Sequence, residues 1–354
     1  MINKLFNCIS IHNGGGITYL SIMHNEIDKK GNLIFLDHRA KKKTKPFRNA
    51  KIIYFKKNLF RNLFVFKERL KYTILFGKYL IKKNKKEYFE EYYLNGIPPF
   101  YRFPVKRNKV CIFFQNKNLF NYINYLDRNL FFKKDFIVYH LIHSTLINLF
   151  LKNTDTLIVQ TISMKKNISG LKPKNKIEIH DGYWKNLKLG FYNDQVIKDN
   201  QKDRNKFLLN RIKHLSKINK IFFYPSSFDP HKNHKVLFKT FNKFSFSSIK
   251  NIKLIVSIDK NEVPAKYRNN ELIFFIGNQP ISIINKIYDL ADFLIFPSLN
   301  ESLGLPLIEA SFYNLPIIAS NLDYVFDVCK PISTFDPRSE EDIYQKILES
   351  INRF

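Results

Sequence analysis

FPSLNESLGLPLIEASFYNLPIIAS, residues 296–320, is the stretch on which the fold turns. A short apolar strand runs into a polar turn holding Glu301, then a Gly-Leu-Pro step, then two to three turns of helix carrying Glu309. Pro316 ends that helix, and a second apolar run follows at once. Strand, loop, helix and strand in this order form one unit of a parallel α/β sheet. The loop outside the carboxyl end of the first strand is where such sheets bind ligands. Pro306 suits the start of the helix, where its missing N–H does no harm, and Gly304 lets the backbone come close to a ligand. The amides of Ser302, Leu303, Gly304 and Leu305, with the helix dipole behind them, suit an anion. Glu301 at the loop tip and Glu309 in the helix suit hydroxyl-rich groups on either side of it.

Working outward, the same alternation recurs. In the C-terminal half, strands read over 221–225, 252–258, 271–277, 292–298 and 316–320, with helices at 233–247, 280–291 and 305–314. A closing helix follows at 339–354. In the N-terminal half, 4–11 is a strand leading into the glycine turn HNGGGITYL (12–20) and a helix. Strands follow at 33–39, 51–55, 109–116, 155–161 and 176–180. Residues 55–93 and 135–152 are helical in pattern. The polar stretch 181–220 reads as a linker with one helix near Phe207–Leu215. The expectation is two doubly wound Rossmann-like domains facing across a cleft, 1–200 and 201–354, with the terminal helix a candidate to fold back onto the first.

The chain has 354 residues, enough for two cores. Its three cysteines, Cys8, Cys111 and Cys329, are widely spaced. They form no C-x-x-C pair, which points away from a zinc site or a disulfide framework. No window resembles a signal peptide or a transmembrane helix. Fifty-nine Lys and Arg against 30 Asp and Glu give a net charge of +29. That balance favours an anionic partner: nucleic acid, an anionic membrane or a phosphorylated substrate. The chain is also rich in Lys, Asn, Ile and Phe throughout, so part of the excess is compositional. The segment 55–86 interleaves aromatic and basic residues in a way that suits an anionic membrane surface, or a core helix with a solvated face.

The string ADFLIFPSLNESLGLPLIEASFYNLPIIAS (291–320) resembles the nucleotide-sugar signature of the retaining GT-B glycosyltransferases of the glycosyl transferases group 1 family. IFFYPSSFDPHKNHKVLFKTF (221–241) resembles the family's diphosphate-binding segment, FFIGNQPISIINKIYDLAD (274–292) the strand and helix before the Glu loop, and HNGGGITYL the glycine turn.

The resemblance implies that Lys232 neutralises the departing diphosphate and that Glu301 contacts sugar hydroxyls, these two being the catalytic candidates. It implies that Glu309 accepts hydrogen bonds from the ribose, with Ser227 and the amides of 302–305 beside the donor. Gly15 and Gly16 would let the first domain's backbone approach the diphosphate. The family's usual Arg is missing, with Ser226 and Ser227 at that strand end. Where a first-domain His often stands, Gln115 or Asn116 would face the acceptor. No Asp-x-Asp motif occurs, in agreement with the metal-independent mode the family implies, and no cofactor beyond the nucleotide-sugar co-substrate is expected.

The implied activity is hexosyl transfer from a nucleotide-diphosphate sugar to a glycan or lipid-linked saccharide, in O-antigen, capsule or lipopolysaccharide synthesis. The expected location is the cytoplasm, on the inner face of the membrane, with an anionic membrane surface as a further partner. No nucleic-acid partner is expected, since carboxylates repel phosphates. A nucleic-acid-binding protein and an inactive GT-B scaffold remain as alternatives, the second favoured by the missing Arg.

Overall fold

The computed structural model describes residues 4–9, 11, 14–55, 90–96, 98–99, 101–102, 109–114, 145, 147–169, 174–180 and 199–353. The chain divides into two compact units, Met1–Asn193 and Asp194–Phe354.

The first unit holds a seven-stranded sheet in the order β3-β2-β1-β4-β5-β6-β7. Its strands are β1 (Lys4–Cys8), β2 (Leu33–Asp37), β3 (Lys51–Phe55), β4 (Glu90–Tyr93), β5 (Lys109–Phe113), β6 (Thr156–Val159) and β7 (Lys176–Ile179). The strands pair in parallel throughout, for example Leu5 opposite Leu33 and Tyr92 opposite Cys111. Parallel strands buried on both faces need near-continuous apolar runs, and LIFLD in β2 is buried along its whole length. Helix α1 (Gly14–Ile22) and the single turn α2 (His24–Ile27) follow β1, and α3 (Ile162–Ser169) follows β6.

The expected helix over 55–93 is corrected at its end. Glu90–Tyr93 is a strand, paired with β1 on one side and β5 on the other. Its charge hid it. Glu91 is 2% exposed, a burial that its hydrogen bond from the Tyr93 hydroxyl at 2.8 Å makes tolerable. Residues 56–89, including the basic aromatic segment, lie outside the described residues.

The second unit holds a six-stranded parallel sheet in the order β10-β9-β8-β11-β12-β13. Its strands are β8 (Lys220–Tyr224), β9 (Ile252–Val256), β10 (Ile273–Phe275), β11 (Phe293–Phe296), β12 (Ile317–Ser320) and β13 (Ser333–Phe335). The helices are α4 (Asp199–Ser216), α5 (His234–Phe244), α6 (Ala265–Arg268), α7 (Ile281–Leu290), α8 (Leu305–Phe312), α9 (Asp323–Phe326) and α10 (Glu340–Arg353). Instead of a polar linker with a short helix at 207–215, residues 199–216 form one 18-residue helix. The short strand β13, unmarked by any apolar run, extends the sheet beside β12.

Aromatic side chains fill this core. Phe222 stacks on Phe293 at 5.0 Å, and α5 buries Phe238, Phe241 and Phe244 on one face. Helix α10 packs on α5 through Phe244 and Tyr344, 4.2 Å apart. Among the described residues, no helix is long and apolar enough to cross a membrane. The order of strands reverses between β8 and β11, which is the crevice where ligands bind in open α/β sheets.

Candidate active site

Two loops leave the carboxyl ends of β8 and β11 at this reversal, and each is fixed by hydrogen bonds to the other. The backbone N–H of Leu299 donates to the carbonyl of His231 at 2.8 Å. Asn233, held at φ 58°, donates from its side chain to the carbonyls of Pro297 at 3.1 Å and Pro337 at 2.7 Å. Asparagine tolerates this left-handed backbone better than most residues. The buried Tyr224 hydroxyl, at the end of β8, lies 2.9 Å from Ser298 Oγ and donates to the carbonyl of Lys232 at 2.8 Å. From the other side, the Tyr324 hydroxyl donates to the Ser298 carbonyl at 2.6 Å.

This framework brings Lys232 and Glu301 together. Lys232 ends a 3-10 turn over Pro230–Lys232, and its Nζ donates to Glu301 Oε1 at 2.6 Å. The two side chains are 15% and 10% exposed, so the pair is largely removed from water. His231 stands beside them. Burial lowers its pKa although the Glu301 carboxylate works the other way.

Past Glu301 the chain turns through Gly304 at φ 69°, with a Cβ there meeting Leu307 Cδ1 at 3.0 Å. Leu303 and Leu307 are buried beneath the turn, while Ser302 and Leu305 are half-buried above it. Glycine is required both for the backbone angle and for the space. Helix α8 begins at once, with Pro306 in its first turn, so its opening amides face the same mouth. Glu309 lies one turn further on, where its Oε2 accepts from the Tyr288 hydroxyl at 2.8 Å. Tyr288 is itself held by stacking on Tyr313 at 5.2 Å.

Lys232, Glu301, the 302–305 turn and Glu309 therefore share one end of one sheet. Ser227 is exposed on the β8 loop, where its hydroxyl bonds the carboxylate of Asp229 within that loop. Its neighbour Ser226 instead bonds His234 Nε2 at 3.0 Å. His234 is 2% exposed and its pKa is pushed down to about 3 by burial and by Lys232 and His231. Gly15 and Gly16 belong to the first turn of α1 in the first unit, rather than to a turn ahead of it. Gln115 and Asn116 lie outside the described residues.

Sequence reasoning missed Tyr224, Tyr288, Tyr324, Ser298, His231 and Asn233. Each is an ordinary residue at the end of a strand or helix. Only Asn233, between a proline turn and a helix, carries a local signal of its left-handed backbone.

Two doubly wound units, with a cation, two carboxylates and a helix N-terminus at the switch point of the second, have the architecture of the GT-B fold. Residues 206–352 match the family model for glycosyl transferases group 1. Sucrose-phosphate synthase from Thermosynechococcus elongatus is similar in structure, with a TM-score of 0.68 at 13% identity. That match covers 99% of this chain and 90% of that one. WaaG, a glycosyltransferase involved in lipopolysaccharide biosynthesis, aligns at a TM-score of 0.62 and 13% identity, with coverages of 99% and 90%. Anabaena Alr3699/HepE, in complex with UDP and glucose, aligns at 0.61 and 12% identity with the same coverages. No curated protein sequence matches significantly.

Proposed function

We propose that the chain transfers a hexose from a nucleoside-diphosphate sugar to a hydroxyl of a glycan or lipid-linked saccharide, with retention at the anomeric carbon and without a metal ion. The observation that carries this reading is the Lys232–Glu301 pair beside Glu309 and the opening of α8. When the bond from the anomeric carbon to the diphosphate oxygen breaks, negative charge grows on the diphosphate. Lys232 and the amides of 302–305 are aimed to stabilise that charge, the kind of preorganised electrostatics that lowers a barrier most. Glu301 accepts from sugar hydroxyls and Glu309 from those of the ribose. Synthesis of a surface polysaccharide at the inner face of the cytoplasmic membrane is the setting we infer, with WaaG, a glycosyltransferase involved in lipopolysaccharide biosynthesis, as the structural parallel that supports it.

The test is release of nucleoside diphosphate from UDP-, GDP-, ADP- and TDP-hexoses, with and without EDTA, followed by NMR of the anomeric product. Turnover of one donor, unaffected by EDTA, retentive and lost in Lys232→Met, is expected. No turnover of any donor with a range of saccharide acceptors would leave the chain an inactive scaffold.

A further inference from the structure

The first unit carries a basic surface for which the donor chemistry has no use. Between β2 and β3, residues 38–50 read HRAKKKTKPFRNA, with six lysines and arginines and no acidic residue. His38, Lys41, Lys42, Lys43 and Arg48 are all exposed. Such a run is ordinarily a loose solvated loop. Here it is braced from inside. Asp37 caps its first turn by accepting from the Arg39 N–H, and it also pairs with the Arg39 guanidinium at 2.6 Å. Thr44 donates to the Ala40 carbonyl, and Phe47 stacks on His24 at 4.8 Å. Asp28 accepts from the backbone amides of Arg48, Asn49 and Ala50. Burial alone would raise the Asp28 pKa, yet these amides hold it below the ordinary value. Asp28 thus points into the ledge's backbone, while Lys41, Lys42 and Arg48 are exposed on its outside.

Its position is equally specific. The ledge leaves the carboxyl end of β2, one strand spacing, about 5 Å, from the end of β1 that leads to the α1 glycines. Beside it Tyr54, 39% exposed, has Lys41 Nζ 5.2 Å from its ring centre and His38 edge-on at 6.3 Å. An exposed ring beside a lysine and a histidine offers an apolar face next to a positive charge to the same ligand. A lipid surface would ask for exposed Trp, Phe or Leu as well. The ledge exposes none, since Phe47 is 9% exposed.

We propose that the ledge 38–48, with Tyr54, binds an acidic saccharide carrying phosphate or uronate groups, and that this saccharide is the acceptor of the transfer. The word acceptor rests on the transferase reading above; the anion site does not.

The test uses the full chain, with oligogalacturonides and phosphorylated mannan oligosaccharides as acidic probes and neutral dextran oligosaccharides as the control. Vesicles of phosphatidylglycerol and of phosphatidylcholine form a separate arm. Acidic saccharides should bind at least about tenfold more tightly than neutral ones, and Lys41→Ala/Lys42→Ala/Lys43→Ala should lose about that factor. Tyr54→Ser should weaken acidic and neutral saccharides alike, and nucleoside diphosphate binding should be unchanged in both variants. Acidic saccharide binding that survives the triple substitution would overturn the proposal. So would loop-dependent binding to phosphatidylglycerol vesicles with no binding of acidic saccharides. If acidic saccharides bind through the ledge while no nucleotide binds the second unit, the anion site stands and the transferase reading falls. Nucleotide binding without acidic saccharide binding means the reverse.

Discussion

Lys232 Nζ and Glu301 Oε1 lie 2.6 Å apart although 69 residues separate them in the chain. In the free protein the carboxylate thus occupies the cation that a diphosphate would need. A bound donor must share Lys232 with Glu301 or take it over, which makes the two substitutions behave differently. Glu301→Gln removes the competitor, so nucleoside diphosphate binding should tighten several-fold, on the order of 1 kcal/mol, while sugar transfer falls. Lys232→Met should lose diphosphate affinity and about 100- to 1000-fold in turnover. Calorimetric titration alongside initial rates separates the two patterns.

Tyr288 holds Glu309 by one hydrogen bond of 2.8 Å. Removing it with Tyr288→Phe keeps the ring and its stacking on Tyr313, so the fold should lose only about 1 kcal/mol. Nucleotide affinity should fall a few-fold through the loss of orientation. Glu309→Ala, in contrast, should abolish nucleotide binding while urea unfolding shows an intact fold.

Gly304 sets the turn before α8 at φ 69°. Gly304→Ala should destabilise the second unit by roughly 1–2 kcal/mol through the left-handed backbone alone, with the contact to Leu307 adding to it. Differential scanning calorimetry measures the loss. Donor turnover should fall as well, because the amides of 302–305 move with the turn.

His234 gives the protein a pH signature. It stays neutral in the fold down to about pH 3, against an ordinary value of 6.5. Between those values the unfolded chain takes up a proton that the native state refuses, so stability must rise with pH across this window and level off above it. Measured against pH 7, the His234 contribution at pH 5 should be about 2 kcal/mol less favourable. Urea unfolding should show that slope in the wild type and a shallower one in His234→Gln.

Much of this architecture was legible in the sequence, for a physical reason. Strands such as LIFLD, KIFFY and FLIF are buried on both faces, and a parallel sheet cannot hide that signal. The loop from Pro297 to Gly304 was legible because Gly304 and Pro306 have narrow backbone requirements. What stayed hidden depended on partners far along the chain. EEYY shows no apolar run; its place between β1 and β5 makes it a buried strand, with Tyr93 bonding the buried Glu91. Ser333–Phe335 is too short and polar to announce itself. The tyrosines 224, 288 and 324 read as core aromatics, and their rings are buried. Their hydroxyls nevertheless position Lys232, Glu309 and Ser298, a role set by the tertiary fold alone.

The donor site itself is tested most directly by calorimetric titration of UDP, GDP, ADP, TDP and CMP into the wild type, Lys232→Ala and Glu309→Ala. One nucleoside diphosphate should bind the wild type, and each substitution should remove that binding without unfolding the protein. Binding that neither substitution alters, or salt-sensitive binding to single-stranded nucleic acid with no nucleotide bound, would contradict a donor site built on Lys232, Glu301 and Glu309.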